Sequence, residues 1–449
     1  MAVYLLRILI LLITFVSITA NAENNVEIEI SKSESSEWII NYQTDQAAQS
    51  LVFIRNPDGS RIIRWTPLDN RFQISIVDGV ESISRKDGSK FSTVSFKLTP
   101  TYRRLNKDYA PFSPYTDGGT LFYTGRFYAC PDSCENVTSD WKFSLNAPDD
   151  EHIVFDGKVI KSSLSWTDND QGRMIYVGSQ YPIQAHGMIT LIDRGLPKKI
   201  RNSLDYDLPK LLSYFENKLG SIDTEIKPSL FASYAKVHGE SSHTQGGTLP
   251  KQIFMHWNTE TLESNVEKNN FREQILWSFS HEAAHFYQAD RIHQTFPDRN
   301  QSWVHEGSAE SFASIAMIDL IPEINSYVES KFNAAKKQCI DGLKSMSLID
   351  AATSNQFQLY YDCGMIIHNA IHLRVKSKSN SKHDLFSVWK NYRNMIRQGE
   401  TTSQKTFLNS VEFFTSAAFS NEIYQFVNNQ LDDPEGFINN FIDNDYSEN

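Results

Sequence analysis

Cysteine is scarce: four residues in a chain of 449, too few for a fold of this size to be held together by disulfides. Basic residues are outnumbered, 43 against 54, for a net charge of −11. That balance argues against a nucleic-acid or anionic-membrane partner, either of which favours a basic surface. Beyond the N-terminus there is no long apolar run, which excludes a polytopic membrane protein. No repeat of fixed period and no low-complexity tract is present. What remains is a globular composition, 40% hydrophobic and 22% charged. At about 100–200 residues per domain, the length predicts about two to four domains.

The one apolar run opens the chain. Arg7 precedes an apolar stretch from Ile8 to about Ile18, and Ala20-Asn21-Ala22 closes it with a small-x-small pattern. This is the grammar of a secretory signal peptide, and the stretch is short for a bilayer span of about 20 residues. The expectation is export to a periplasm or the extracellular space, with no membrane association after cleavage near Glu23. In an oxidising compartment the cysteines can pair, and local pairs close most easily. Cys130–Cys134 and Cys339–Cys363 are the expected bridges.

Residues 26–192 are a succession of short runs rich in β-branched and aromatic residues, punctuated by Gly, Asp, Asn and Pro. About ten residues per strand predicts an antiparallel β domain. The grammar changes near Arg194. Residues 208–219 read as a helix, and 230–237 and 252–257 as strands. Asn270, with Glu273 three residues on, reads as the N-cap of a helix that runs to about Ala289. A further helix starts near Ser302, Pro322 opens a third to about Leu343, and the chain after about Ser377 is helical again.

The chemistry concentrates at His281-Glu282-Ala283-Ala284-His285, inside the first of these helices. Residues i and i+4 share a helix face one turn apart, so both imidazoles can reach one metal ion. Glu282 lies about 100° around the helix from His281, where it can reach a water without being a ligand. A random H-E-x-x-H is expected about 0.02 times in such a chain. A catalytic zinc needs a third protein ligand and an open position. Glu306 and Glu310 on the next helix, and His293 and His305, are the candidates.

Trp303-Val304-His305-Glu306-Gly307-Ser308-Ala309-Glu310 resembles the W-x-x-E-G-x-A-E segment of gluzincin metallopeptidases related to aminopeptidase N. The resemblance implies a single Zn²⁺ held by His281, His285 and Glu306, with Glu282 as general base and Glu310 orienting a ligand from behind. The interval from His285 to Glu306 is longer than the family's usual one, which reads as a loop change. Tyr360-Tyr361-Asp362-Cys363-Gly364 is similar to the family's Y-x-x-G segment and implies that Tyr361 stabilises the tetrahedral intermediate. The family's exopeptidases carry G-x-M-E-N before the zinc helix. The corresponding place is Gly246-Gly247-Thr248-Leu249-Pro250, with Gly246 and Gly247 as candidate substrate-binding positions and the Met-Glu-Asn part missing. His368 and His372 have i,i+4 spacing without the intervening Glu and read as incidental or substrate-lining rather than as a second metal site.

Together these readings describe an α+β protein. A signal peptide (1–22) precedes a β-rich domain (23–198), a thermolysin-like zinc-peptidase domain (199–376) and a helical C-terminal domain (377–449). The implied activity is a secreted zinc metallopeptidase acting on a peptide or protein substrate, aminopeptidase-like in type. The alternatives are an endopeptidase or narrow-specificity peptidase lacking the amine-binding motif, and a catalytically inert zinc-binding protein.

Overall fold

A computed structural model describes residues 26–105, 108–135, 140–169, 171–185, 188–221, 228–236, 243–268, 270–288 and 298–443. The expected signal peptide, His293, and the expected end near Ala289 of the helix carrying His281 and His285 lie outside the described residues. Among the described residues no helix is long and apolar enough to cross a membrane.

The N-terminal part is built from strict alternation. Val26, Ile28 and Ile30 are buried while Glu27 and Glu29 are exposed, as a strand with one wet face requires. Its six-stranded sheet runs in the order Ser163–Asp168, Trp141–Asn146, Val26–Lys32, Trp38–Ala48, Phe91–Leu98, Trp65–Pro67. Sheets of four and five strands complete this region. Trp38, Tyr42, Phe53, Trp65, Phe96 and Phe127 fill the core, each burial contributing about 1.5–3 kcal/mol. Within these three sheets the described pairings are antiparallel, as expected, with one exception: Val26–Lys32 lies parallel to Trp141–Asn146. The intervening strands bring the chain back to the first strand by a crossover, which strand spacing does not reveal.

A second, mixed sheet follows in the order Ile183–Ala185, Met188–Ile192, Ser229–Ala235, Gln252–Asn258, His243–Leu249. Met188–Ile192, which reads in sequence as a continuation of the β domain, pairs in parallel with Ser229–Ala235. Gln252–Asn258 is buried along its whole length, because both faces of this sheet are covered. One face carries Ile253, Met255 and Trp257 into the helical core. The other carries Phe231 and Phe254 against Tyr115, Tyr123 and Tyr109 of the preceding region.

The helices Phe271–Gln288, Trp303–Leu320, Asn325–Leu343 and Leu359–Lys378 follow, then four more to Asp443. Asn270, expected as an N-cap, has φ 62°, the left-handed region rather than the extended geometry a capping box needs. The helix begins one residue later regardless. The Trp303–Leu320 and Leu359–Lys378 helices cross at Gly307 and Gly364. A Cβ added at Gly364 would lie 2.6 Å from the Gly307 Cα, and one at Gly307 would overlap the Gly364 backbone. Cys339 and Cys363 form the expected bridge, with 4.9 Å between their Cα atoms, and Cys130 pairs with Cys134. The C-terminal helices buttress this crossing: the Trp303 indole donates to Gln404 at 2.8 Å, and Phe312 stacks on Phe386.

Candidate metal centre

The Phe271–Gln288 helix presents His281 and His285 on one face, with their Nε2 atoms 2.9 Å apart and their rings near perpendicular at 86°. The Trp303–Leu320 helix brings in Glu306, whose Oε2 lies 3.0 Å from His285 Nε2 and 3.4 Å from His281 Nε2. Ligand atoms on a tetrahedral zinc with bonds of ~2.0–2.1 Å are about 3.3 Å apart, so the triangle matches that sphere with one corner open. Among the described residues these three are the group of His, Cys, Asp and Glu side chains placed closely enough to hold a metal ion.

The hydrogen bonds behind the rings favour a cation in front of them. His285 Nδ1 donates to Gln288 Oε1 at 2.8 Å, which leaves the Nε2 lone pair facing the triangle. The Gln288 amide nitrogen is itself held by Ser308 Oγ at 2.8 Å and the His305 carbonyl at 3.1 Å. His281 Nδ1 lies 3.2 Å from Glu310 Oε1, and Glu310 Oε2 accepts from the Trp277 indole at 2.6 Å. Burial opposes a charged His281, yet the Glu306 and Glu310 carboxylates outweigh it and hold its pKa well above the ordinary value. Burial likewise raises Glu306, but His285 and His281 hold it well below the usual carboxylate range. Three electron-rich atoms within 3.4 Å need a proton or a metal among them, and two nitrogens with one carboxylate oxygen suit zinc.

The other candidates fall into place around this centre. Glu282 points toward the edge of the mixed sheet, where Thr248 Oγ1 donates to its Oε2 at 2.7 Å. The Tyr361 ring stacks on His281, 5.5 Å between centroids and 22° between planes. Burial raises its pKa strongly, and the Glu306 and Glu282 carboxylates add to the effect, so the phenol keeps its proton. His305 lies 3.4 Å from the other Glu306 oxygen, Oε1, and stands outside the triangle. Gly246 and Gly247 lie on the outermost strand, His243–Leu249. Gly247 has a reason in the fold itself, since a Cβ there would meet the Tyr109 ring at 2.7 Å and Phe254 at 2.9 Å. His368 and His372 are not part of the triangle. His368 Nδ1 donates to the Gly364 carbonyl, its ring packs near Trp303 and Phe407, and burial lowers its pKa to about 3.

Sequence reasoning missed Gln288, Thr248 and Tyr109. Gln288 stands three residues after His285, a helical neighbour that could have been found from spacing. Thr248 and Tyr109 come from distant segments and left no such signal.

No family model matches the sequence. No curated protein is significantly similar to it. Solved structures are similar in fold. A crystal structure of an aminopeptidase N family protein from Idiomarina loihiensis superposes with a TM-score of 0.65 at 13% identity, covering 90% of this chain and 76% of that one. Native yeast LTA4 hydrolase superposes with a TM-score of 0.52 at 12% identity, covering 90% of this chain and 67% of that one. The chain therefore shares the mixed α+β fold of these proteins, with its N-terminal sheet region and C-terminal helical region.

Proposed function

We propose that the chain is an exported zinc-dependent metallopeptidase. The observation that carries the proposal is the convergence of His281 Nε2, His285 Nε2 and Glu306 Oε2 within 3.4 Å of one another. The fold shared with an aminopeptidase N family protein supports the same reading. Zinc bound by these three residues would supply Lewis acidity, polarising the peptide carbonyl and acidifying water at the open corner.

The chain's own groups complete the chemistry. Glu282, one residue from a ligand and facing the sheet edge, takes the proton from the attacking water and delivers it to the leaving amine. Tyr361, whose pKa burial raises, donates its hydroxyl to the carbonyl oxygen as that oxygen gains charge. Gln288 and Glu310 hold the two imidazoles with their Nε2 atoms toward the centre. Gly246 and Gly247, on the outer strand beside Glu282, are the positions where a substrate backbone can approach.

Aminopeptidase-like cleavage is the first form of this proposal. A second form, cleavage within a peptide or of a narrow substrate range, is favoured by Leu249 and Pro250, which supply no carboxylate for a free amino terminus. The two bridges, Cys130–Cys134 and Cys339–Cys363, support an oxidising destination, periplasmic or extracellular.

A mixed peptide library, N-free and N-blocked, incubated with and without a zinc chelator, tests the proposal. Chelator-sensitive cleavage is expected, and Glu282→Gln retains zinc but loses about 10²–10⁴-fold in turnover. A zinc-replete protein inert to the whole library would make it a binding protein instead.

A further inference from the structure

The His243–Leu249 strand pairs antiparallel with Gln252–Asn258, placing Gly246 opposite Met255, Gly247 opposite Phe254 and Thr248 opposite Ile253. Directly opposed residues share a face of the sheet. Ile253 and Met255 face the helices, so Gly246 and Thr248 face them too, while Gly247 and Phe254 face Tyr109. The register thus delivers one hydroxyl to the zinc helix, and Thr248 Oγ1 reaches Glu282 Oε2 at 2.7 Å and the Glu282 carbonyl at 3.2 Å.

The strand is fixed from its other side. The Tyr109 hydroxyl donates to the Thr248 carbonyl at 3.3 Å. Its ring lies edge-on to Phe254 over Gly247, where a side chain would displace it. One turn of chain around Tyr109 is clamped to the same strand by Gln245, whose amide accepts from the Ala110 N–H at 2.9 Å and donates to the Asp108 carbonyl at 3.1 Å. Asp108 is anchored in turn by Arg55 and Arg126.

We infer that Thr248 is the positioning residue for Glu282, and that Tyr109 carries the β domain's hold on it. The inference rests on the peptidase reading for the meaning of Glu282 but on geometry for the contact. A glutamate side chain has three rotatable bonds, and ordering them costs free energy at the moment of proton transfer. A hydroxyl donating to Oε2 fixes the carboxylate plane beforehand and leaves Oε1 as the oxygen that takes the proton. Threonine suits the task because its branched Cβ restricts χ1 in a strand.

Five proteins test this: wild type, Thr248→Val, Thr248→Ser, Glu282→Ala and the Thr248→Val/Glu282→Ala double variant. On a substrate cleaved by wild type, Thr248→Val should lower kcat about tenfold or more while KM stays within about twofold and zinc content is unchanged. Thr248→Ser should restore most of the loss. In thermal melts, Thr248→Val should lower Tm by about 1–3 °C in the wild-type background and by less beside Glu282→Ala. An unchanged kcat, an effect confined to KM, or a Ser variant as impaired as Val would overturn the positioning role. Additive melts would remove the contact whatever the activity. Coupled melts in a protein that hydrolyses nothing would instead sink the peptidase reading and leave the contact standing.

Discussion

Gly307 and Gly364 face each other where their helices cross, so near that neither can carry a side chain. Each follows a site residue closely: Gly307 comes directly after Glu306, and Gly364 three residues after Tyr361. The absence of two methyl groups is what lets the Tyr361 ring reach His281 while Glu306 reaches both imidazoles.

Gly307→Ala is therefore expected to force the helices apart. Overpacking of this kind costs about 1–3 kcal/mol, and the separation should also dislodge Tyr361. A lower Tm together with a reduced kcat, at near-normal secondary structure by circular dichroism, is the expected pair of readings.

Glu306→Ala removes the carboxylate corner of the triangle. Zinc occupancy by elemental analysis should fall well below one ion per chain. His305, 3.4 Å from Glu306 Oε1, and Glu310, 3.2 Å from His281 Nδ1, stand beside the triangle, so retained occupancy would assign the ligand role to His305 or Glu310.

Tyr361→Phe keeps the ring that stacks on His281 and deletes only the hydroxyl. Turnover should drop about 10²–10³-fold, with zinc content and Tm little changed. Loss of zinc instead would mean that the hydroxyl acts on the ligands rather than on the substrate.

His368 provides a pH signature separate from the metal. Burial lowers its folded pKa from the ordinary 6.5 to about 3. Above 6.5 the imidazole is neutral in both states and contributes no pH dependence. Below 6.5 the unfolded chain binds the proton that the folded chain refuses, so stability falls as pH drops toward 3. Between pH 6.5 and 5, before most carboxylates titrate, His368→Leu should show a shallower decline in Tm than wild type.

The parts of the site that lie along one helix were legible in the sequence, because helical spacing alone puts His281 and His285 on one face. Glu306 and Glu310 were candidates from their place on the next helix; the choice between them, and Tyr361, came through motif resemblance. The Leu208–Leu219 helix and the one ending at Leu343 agree with their periodicity. Thr248 was not legible, since its partner Glu282 is 34 residues away and a threonine in a strand is unremarkable. The Asn270 cap failed for a local reason: its left-handed backbone removes the geometry on which a side-chain cap depends. The parallel pairing of Val26–Lys32 with Trp141–Asn146 escaped because alternation reports which face a residue takes but not which strand lies beside it.

Five side chains from three helices, His281, Glu282, His285, Glu306 and Tyr361, make up the candidate site, and Thr248 reaches it from a strand. An emerging or partly collapsed polypeptide has two histidines on one turn and nothing opposite them. The metal-holding triangle would thus close only once the helices carrying His281, His285 and Glu306 have docked.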